Sequence, residues 1–247
     1  MGDWIEVTVA EKIRWNDGLH SLRFEAPLPA FKAGQFVRVG LDIDGERVAR
    51  PYSLVNAPDE TRHEIFFNVV PEGPLSPRLA RLEAGDTLFV HSSVTGTMIM
   101  QRTPVHRHLW LFATGTALGP FLSILKTDAP WERAERVVLC HSVRRVADLA
   151  YGETIRRLQA RHGDRFDFVP VVTREAYPGA LRERIPAVLA AGTLERHVGL
   201  DLRAEDAHVM LCGNSGMIEE VQQVLAPRGL RRHRRREPGH ITVEKYH

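Results

Sequence analysis

Leu109-Trp110-Leu111-Phe112-Ala113-Thr114-Gly115-Thr116-Ala117-Leu118-Gly119-Pro120 reads as a buried strand running through a glycine turn into a helix. The first five residues are continuously apolar, as a strand covered on both faces must be. Gly115 and Gly119 let backbone approach a ligand, and the helix that follows presents its positive end. The spacing is not G-x-G-x-x-G, so the ordinary dinucleotide fingerprint is absent. A purely structural strand-to-helix turn fits the same residues. Three more apolar runs follow: Val137-Val138-Leu139-Cys140, Val169-Pro170-Val171-Val172 and Val209-Met210-Leu211-Cys212. Helix-length patterns such as Leu149–Ala160 and Met217–Leu225 lie between them. Apolar strands alternating with helices predict a parallel α/β sheet.

Upstream the rhythm is different. Trp4–Val9, Leu19–Phe24, Gln35–Leu41, Tyr52–Val55, Ile65–Val70 and Thr87–Val90 read as short strands, with turn signals such as Asn16-Asp17-Gly18 and Asp44-Gly45 between them. This predicts a small antiparallel barrel or sandwich. One helix is expected over Ser76–Leu82, with Ser76 as N-cap and Pro77 at the first helical position. The pattern breaks at Gln101-Arg102-Thr103-Pro104, which places a boundary near 101: residues 1–101 form one domain and residues 102–247 the other.

Composition bounds the rest. The 247 residues are 43% hydrophobic and 26% charged, the balance of a folded globular chain rather than a disordered or fibrous one. Two cysteines exclude a disulfide scaffold and a four-cysteine cluster. Twelve histidines form no His-x₃-His pair beside an acidic cluster, so no metal is expected. No run of about 18 apolar residues occurs, and Met1-Gly2-Asp3-Trp4-Ile5-Glu6 lacks a basic and apolar leader, so a cytoplasmic protein is expected. Residues 1–101 carry 10 Lys+Arg against 14 Asp+Glu, or −4; the remainder carries 23 against 17, or +6. That asymmetry favours an anionic ligand on the second half, although halves of any chain differ by several charges.

Arg50-Pro51-Tyr52-Ser53 combines a phosphate-binding fork, a flat ring two residues on along the same strand face, and a hydroxyl on the other face. A planar cofactor with a phosphate tail suits that set; so does an ordinary strand with an exposed arginine and a packed tyrosine. Arg144 and Arg174 each follow an apolar strand, and Arg184 lies ten residues further on. Neighbouring strand ends of a parallel sheet form one ligand-binding edge, so two such arginines converge there. Solvated arginines in an arginine-rich chain are the plainer alternative, and Arg145 and Arg182 compete for the assignment. Cys212 precedes Gly213-Asn214 at another strand end and reads first as a small buried hydrophobe, as does Cys140. The run Arg231-Arg232-His233-Arg234-Arg235-Arg236 is a solvated face or an anion-binding patch; aromatic platforms for single-stranded nucleic acid are missing around it.

The R-x-Y-S strand, the Gly73-Pro74-Leu75-Ser76 turn and the Gly115–Pro120 turn together resemble the bacterial ferredoxin/flavodoxin–NADP⁺ reductase family over essentially the whole chain. The resemblance implies an antiparallel FAD-binding β-barrel domain followed by an α/β parallel-sheet NADP-binding domain, whose C-terminal tail returns to the flavin. It implies non-covalent FAD and NADP(H) as cofactors and an acidic ferredoxin or flavodoxin as electron carrier. A monomer with no nucleic-acid or membrane partner is expected. By the same resemblance Arg50, Pro51, Tyr52 and Ser53 hold the flavin, with Arg50 on the pyrophosphate, Tyr52 on one ring face and Ser53 near N5, the hydride acceptor. Phe66 joins the FAD set, and Gly73, Pro74, Leu75 and Ser76 hold the pyrophosphate. Thr116 lies between flavin and nicotinamide nucleotide. Val143, Arg144, Thr173, Arg174 and Arg184 read the 2′-phosphate and adenosine, while Cys212, Gly213 and Asn214 sit beside the nicotinamide. Glu244 supplies a carboxylate there, Tyr246 covers the second flavin face, and His247 stands where other members place an aromatic on the adenine. Ser53, Cys212, Glu244 and Tyr246 form the catalytic set. The alternative on the same fold is an NAD(P)H-dependent flavin reductase or an oxygenase-partner reductase.

Overall fold

The computed structural model describes residues 3–246. His247 therefore lies outside the described residues, and so does its expected stacking role. The chain divides into two compact units, which are taken in turn.

The first unit runs to Ile99 and also takes in Gly119–Thr127. Its strands are β1 (Trp4–Asn16), β2 (Leu19–Phe24), β3 (Phe36–Ile43), β4 (Glu46–Ser53), β5 (His63–Asn68) and β6 (Thr87–His91). They form one six-stranded antiparallel sheet in the order β4-β3-β6-β1-β2-β5. A bridge between Leu54 and Ile65 brings the two outer strands together and closes the sheet, as a barrel must to remove its edges. Alternation along the strands fills the interior with Val7, Val9, Leu22, Phe24, Val37, Val39, Ile65, Phe67, Leu88 and Val90. Strand β4 starts earlier than the sequence suggests. Glu46–Arg50 reads as polar, but it is an outer strand with Ala49 alone fully buried. The short helix α1 spans Ser76–Leu79 rather than Ser76–Leu82. Ser76 is its first residue, not its cap: its hydroxyl accepts the Val70 N–H at 2.9 Å, and no side chain caps the helix.

The second unit comprises Met100–Leu118 and the residues from Asp128 onward. Its strands β7 (His108–Thr114), β8 (Arg136–Val143), β9 (Phe166–Val172), β10 (Ala207–Asn214) and β11 (Ile241–Tyr246) form a five-stranded parallel sheet in the order β11-β10-β7-β8-β9. The helices are α2 (Leu118–Leu125), α3 (Ala129–Arg133), α4 (Gly152–His162), α5 (Ile185–Ala190), α6 (Thr193–Val198) and α7 (Ser215–Leu225). Strand β7 is buried on both faces down to Ala113, which explains its unbroken apolar sequence. The core joins Trp110, Phe112, Val138, Val169, Leu211, Ile218 and Val221. Asn214 caps α7, its side-chain oxygen accepting from Gly216 and Met217 at 3.0 and 3.2 Å.

Chain order would put all of α2 with the second unit, yet from Gly119 onward it clusters with the barrel. The Ser123 hydroxyl donates to the Asn56 carbonyl at 2.6 Å, and Lys126 pairs with Glu60 at 3.1 Å. Sequence proximity is outweighed there by side chains that only a three-dimensional partner could reveal.

Candidate functional site

In the barrel unit, β4 delivers Arg50, Tyr52 and Ser53 to one strand end. Arg50 spends one N–H on the Ala49 carbonyl at 2.8 Å and is otherwise exposed. Tyr52 lies half-buried against the barrel core, edge-on to Phe67 at 5.9 Å between centroids. Burial pushes its phenol up to about 12, against the pull of the Arg50 charge, so the ring stays neutral. Ser53 is buried. An exposed guanidinium beside a neutral aromatic face fits a dinucleotide with a flat ring and an anionic tail.

The other barrel residues divide. Gly73 donates to the Val70 carbonyl at 2.8 Å, and the Ser76 hydroxyl meets the Val70 N–H, so the turn before α1 is held by its own chain. Leu75 points into the barrel core and offers a ligand only its backbone. Phe66 occupies the opposite face of β5 from Phe67 and packs edge-on to Trp15 at 6.4 Å; the structure does not bring it to Tyr52.

In the parallel unit, the C-terminal strand ends form the edge at which open α/β sheets take ligands. Thr116 sits half-buried in the 3₁₀ turn Gly115–Ala117 that follows β7. Gly115 has φ +54°, and an added Cβ would meet nothing within 4 Å, so the turn faces open space. Arg144 and Arg174 follow the adjacent strands β8 and β9 and are joined by the Arg174 N–H on the Arg144 carbonyl at 2.9 Å. Both side chains are exposed. Thr173 donates through backbone and hydroxyl to the Val143 carbonyl, at 3.1 and 3.3 Å, so Val143 is buried with its carbonyl engaged and serves the arginines as scaffold. Arg184 stands apart, paired with Glu220 of α7 at 2.5 Å.

On the other side of β7, register places Cys212 beside Glu244 and Asn214 beside Tyr246. Cys212 is fully buried; burial first and the Glu244 charge second push its thiol far up, while a hydrogen bond from Tyr246 opposes them. A thiol so held is a spacer, not a nucleophile. Burial raises Glu244 to about 7, and its Oε1 is buried without a hydrogen-bond partner. That orphaned oxygen fits a ligand amide or a transferable proton. Two free guanidiniums, an open glycine turn and a carboxylate poised near neutrality fit a phosphorylated pyridine dinucleotide.

Residues 5–98 match the family described as oxidoreductase FAD-binding domain, and residues 111–223 match the oxidoreductase NAD-binding domain. The chain is 44% identical over 247 residues, 100% of both chains, to the flavodoxin/ferredoxin–NADP reductase of Escherichia coli (strain K12). This chain belongs to the flavodoxin/ferredoxin–NADP reductase family. It is also 37% identical to the ferredoxin–NADP reductase of Pseudomonas aeruginosa, over 94% of this chain and 93% of that one. The crystal structure of a ferredoxin NADP⁺ reductase from Neisseria gonorrhoeae with bound FAD and NADP superposes with a TM-score of 0.93 at 32% identity, covering 98% of each chain.

Three positions of this flavodoxin/ferredoxin–NADP reductase family member, Gly213 of the expected set among them, make contacts that a motif reading does not show. The Thr114 hydroxyl accepts the Asn214 N–H at 2.9 Å and ties the β7 turn to the β10 turn. Gly213, at φ +132°, has no room for a Cβ, which would fall 2.1 Å from Thr114 Oγ1. Glu175 accepts the Val146 N–H and links the loops after β8 and β9. Each contact is with a residue distant in sequence, so no local spacing signals the contact. The arginine run forms a small hairpin instead, with Arg232 bridged to Ile241 and Arg234 to Glu237. It adjoins the start of β11, whereas Tyr246 ends that strand about 16 Å away at roughly 3.3 Å per residue. The run is thus at the opposite end of the sheet from the arginine pair. Among the described residues, no helix is long and apolar enough to cross a membrane, and no group of three or more His, Cys, Asp or Glu is placed to hold a metal.

Proposed function

We propose that this chain moves electrons between NADP(H) and a ferredoxin or flavodoxin through a non-covalently held FAD. The end-to-end 44% identity to a flavodoxin/ferredoxin–NADP reductase carries the reading most strongly. Bound FAD supplies the conversion between a two-electron hydride and single electrons. The protein supplies placement and charge.

Arg50 offsets pyrophosphate charge, and Tyr52 gives the flavin an apolar face that its neutral phenol does not disturb. Ser53 orients the ring from the buried end of β4. Arg144 and Arg174 grip the 2′-phosphate as a pair of forks, with Arg184 in reserve on Glu220. Glu244 orients the nicotinamide through Oε1 and, titrating near neutrality, takes up or releases a proton there. Cys212 and Tyr246 keep water from that strand end. The boundary of the flavin-binding domain near residue 101 and a monomeric state belong to the same proposal.

The test is NADPH oxidation at equal concentrations of oxidised ferredoxin, oxidised flavodoxin and free FMN. A carrier should be reduced at least tenfold faster than free flavin. Preference for free flavin would instead favour a flavin reductase on this fold.

A further inference from the structure

We propose that His141 is a positioning residue for the coenzyme: it orients the Gly115–Thr116 peptide so that the Thr116 N–H is presented to the pyrophosphate. The inference rests on the NADP(H) reading above and deepens it.

His141 lies on β8, with register opposite Ala113 of β7, and is completely buried. Its Nε2 is 2.9 Å from the Gly115 carbonyl oxygen. A carbonyl only accepts, so Nε2 must carry the hydrogen and Nδ1 the lone pair. Nδ1 is buried and meets no donor. Burial drives the imidazole down to about 4, against the opposing hydrogen bond to the Gly115 carbonyl and the smaller pull of the Asp148 charge, so the ring is neutral whenever the coenzyme is bound near neutrality. As packing alone, this choice is poor. Leucine or methionine would fill the site without stranding a nitrogen. What imidazole adds is one N–H aimed at one carbonyl.

That carbonyl also takes the Leu118 N–H, so both its lone pairs are used. The peptide is planar and trans, which sets the Thr116 N–H antiparallel to the Gly115 C=O. Fixing the carbonyl toward the buried imidazole therefore directs the N–H the other way. Gly115 is at φ +54° with open space around it, so its own side-chain position offers no such restraint. The first N–H groups of a helical turn have no intrahelical acceptor and suit an anion. The Thr114 hydroxyl on Asn214 fixes the strand just before this peptide, and His141 together with the Leu118 N–H sets the peptide itself, His141 being the one side chain of the pair.

The test uses the FAD-loaded protein, His141→Leu and His141→Gln, with NADP⁺ and adenosine 2′-monophosphate titrated calorimetrically. The smaller ligand carries the 2′-phosphate but no pyrophosphate. His141→Leu should weaken NADP⁺ about fivefold to tenfold, the loss of one hydrogen bond, and leave adenosine 2′-monophosphate unchanged. His141→Gln, which returns an N–H near the Nε2 position, should restore most of the loss. Unchanged NADP⁺ affinity, or equal weakening of both ligands, overturns the proposal. A wild-type protein that binds neither ligand overturns the coenzyme reading itself. If His141→Leu fails to fold, ¹⁵N NMR of the wild type decides: an Nε2–H tautomer at neutral pH is required, and an Nδ1–H tautomer refutes the arrangement.

Discussion

Replacing the two arginines after β8 and β9 tests coenzyme choice with a magnitude set by their geometry. Arg144 and Arg174 are exposed and held together by the Arg174 N–H on the Arg144 carbonyl at 2.9 Å. Charge-assisted hydrogen bonds are worth about 1.5–3 kcal/mol, and exposure with salt screening puts these at the low end. Arg144→Ala and Arg174→Ala should each lower kcat/KM for NADPH about tenfold. The double variant should fall somewhat short of about a hundredfold, because neighbours sharing one phosphate do not act independently. Arg184 must exchange Glu220 for the phosphate, so Arg184→Ala should cost only about twofold to threefold. For NADH, which lacks the 2′-phosphate, all three should be within about twofold of wild type. The assay is steady-state oxidation of both coenzymes at fixed ionic strength, with ferricyanide as acceptor so that carrier docking plays no part. A parallel loss for NADH, or a dominant effect at Arg184, would refute the assignment.

Three other residues, Glu244, His208 and Gly213, carry further outcomes. Glu244→Gln should abolish an inflection near pH 7 in kcat/KM for NADPH, and an unaltered profile would remove Glu244 from the proton path. Because burial raises this carboxyl above its unfolded value, its stability contribution is present below about pH 4.5 and lost as pH rises through 7; Glu244→Gln should therefore unfold at higher urea than wild type above pH 7. His208 is held down to about 3 by burial and by His106, His233 and His240, so the stability of its neutral form is present above about pH 6.5 and lost as pH falls below it. Urea titrations should show a decline of about 1.4 kcal/mol per pH unit for each such histidine, flattened in His208→Gln. Gly213→Ala drives a Cβ to 2.1 Å from Thr114 Oγ1 at a φ of +132° and should destabilise the protein by about 2–4 kcal/mol; adding Thr114→Ala should recover part of that in thermal melts.

Both halves of the fold were legible because their strands obey one period each. Alternation marked Leu19–Phe24, which the structure reproduces residue for residue, and apolar runs marked four of the five strands of the parallel unit. The failures have a common cause. Glu46–Arg50 and Glu11–Trp15 are strands whose exposed faces carry charge, so their sequence hides the period. Ser76 has the sequence of a cap but spends its hydroxyl on Val70. Among the candidate site residues, the positions of Arg50, Arg144, Arg174 and Cys212 in or just past a strand were readable, because each belongs to or directly follows a patterned strand segment. The contacts of His141, Thr114 and Glu175 were not, because each reaches a backbone atom supplied by another strand or loop.

The most direct measurement is anaerobic. The purified protein is supplied with FAD, freed of excess, and mixed with one equivalent of NADPH while the flavin's visible band is followed. Stoichiometric retention of FAD and rapid bleaching by NADPH, with NADH far slower, is the expected result. A folded protein that retains no FAD, or one whose bound FAD stays yellow in NADPH, would contradict the proposed function at its root.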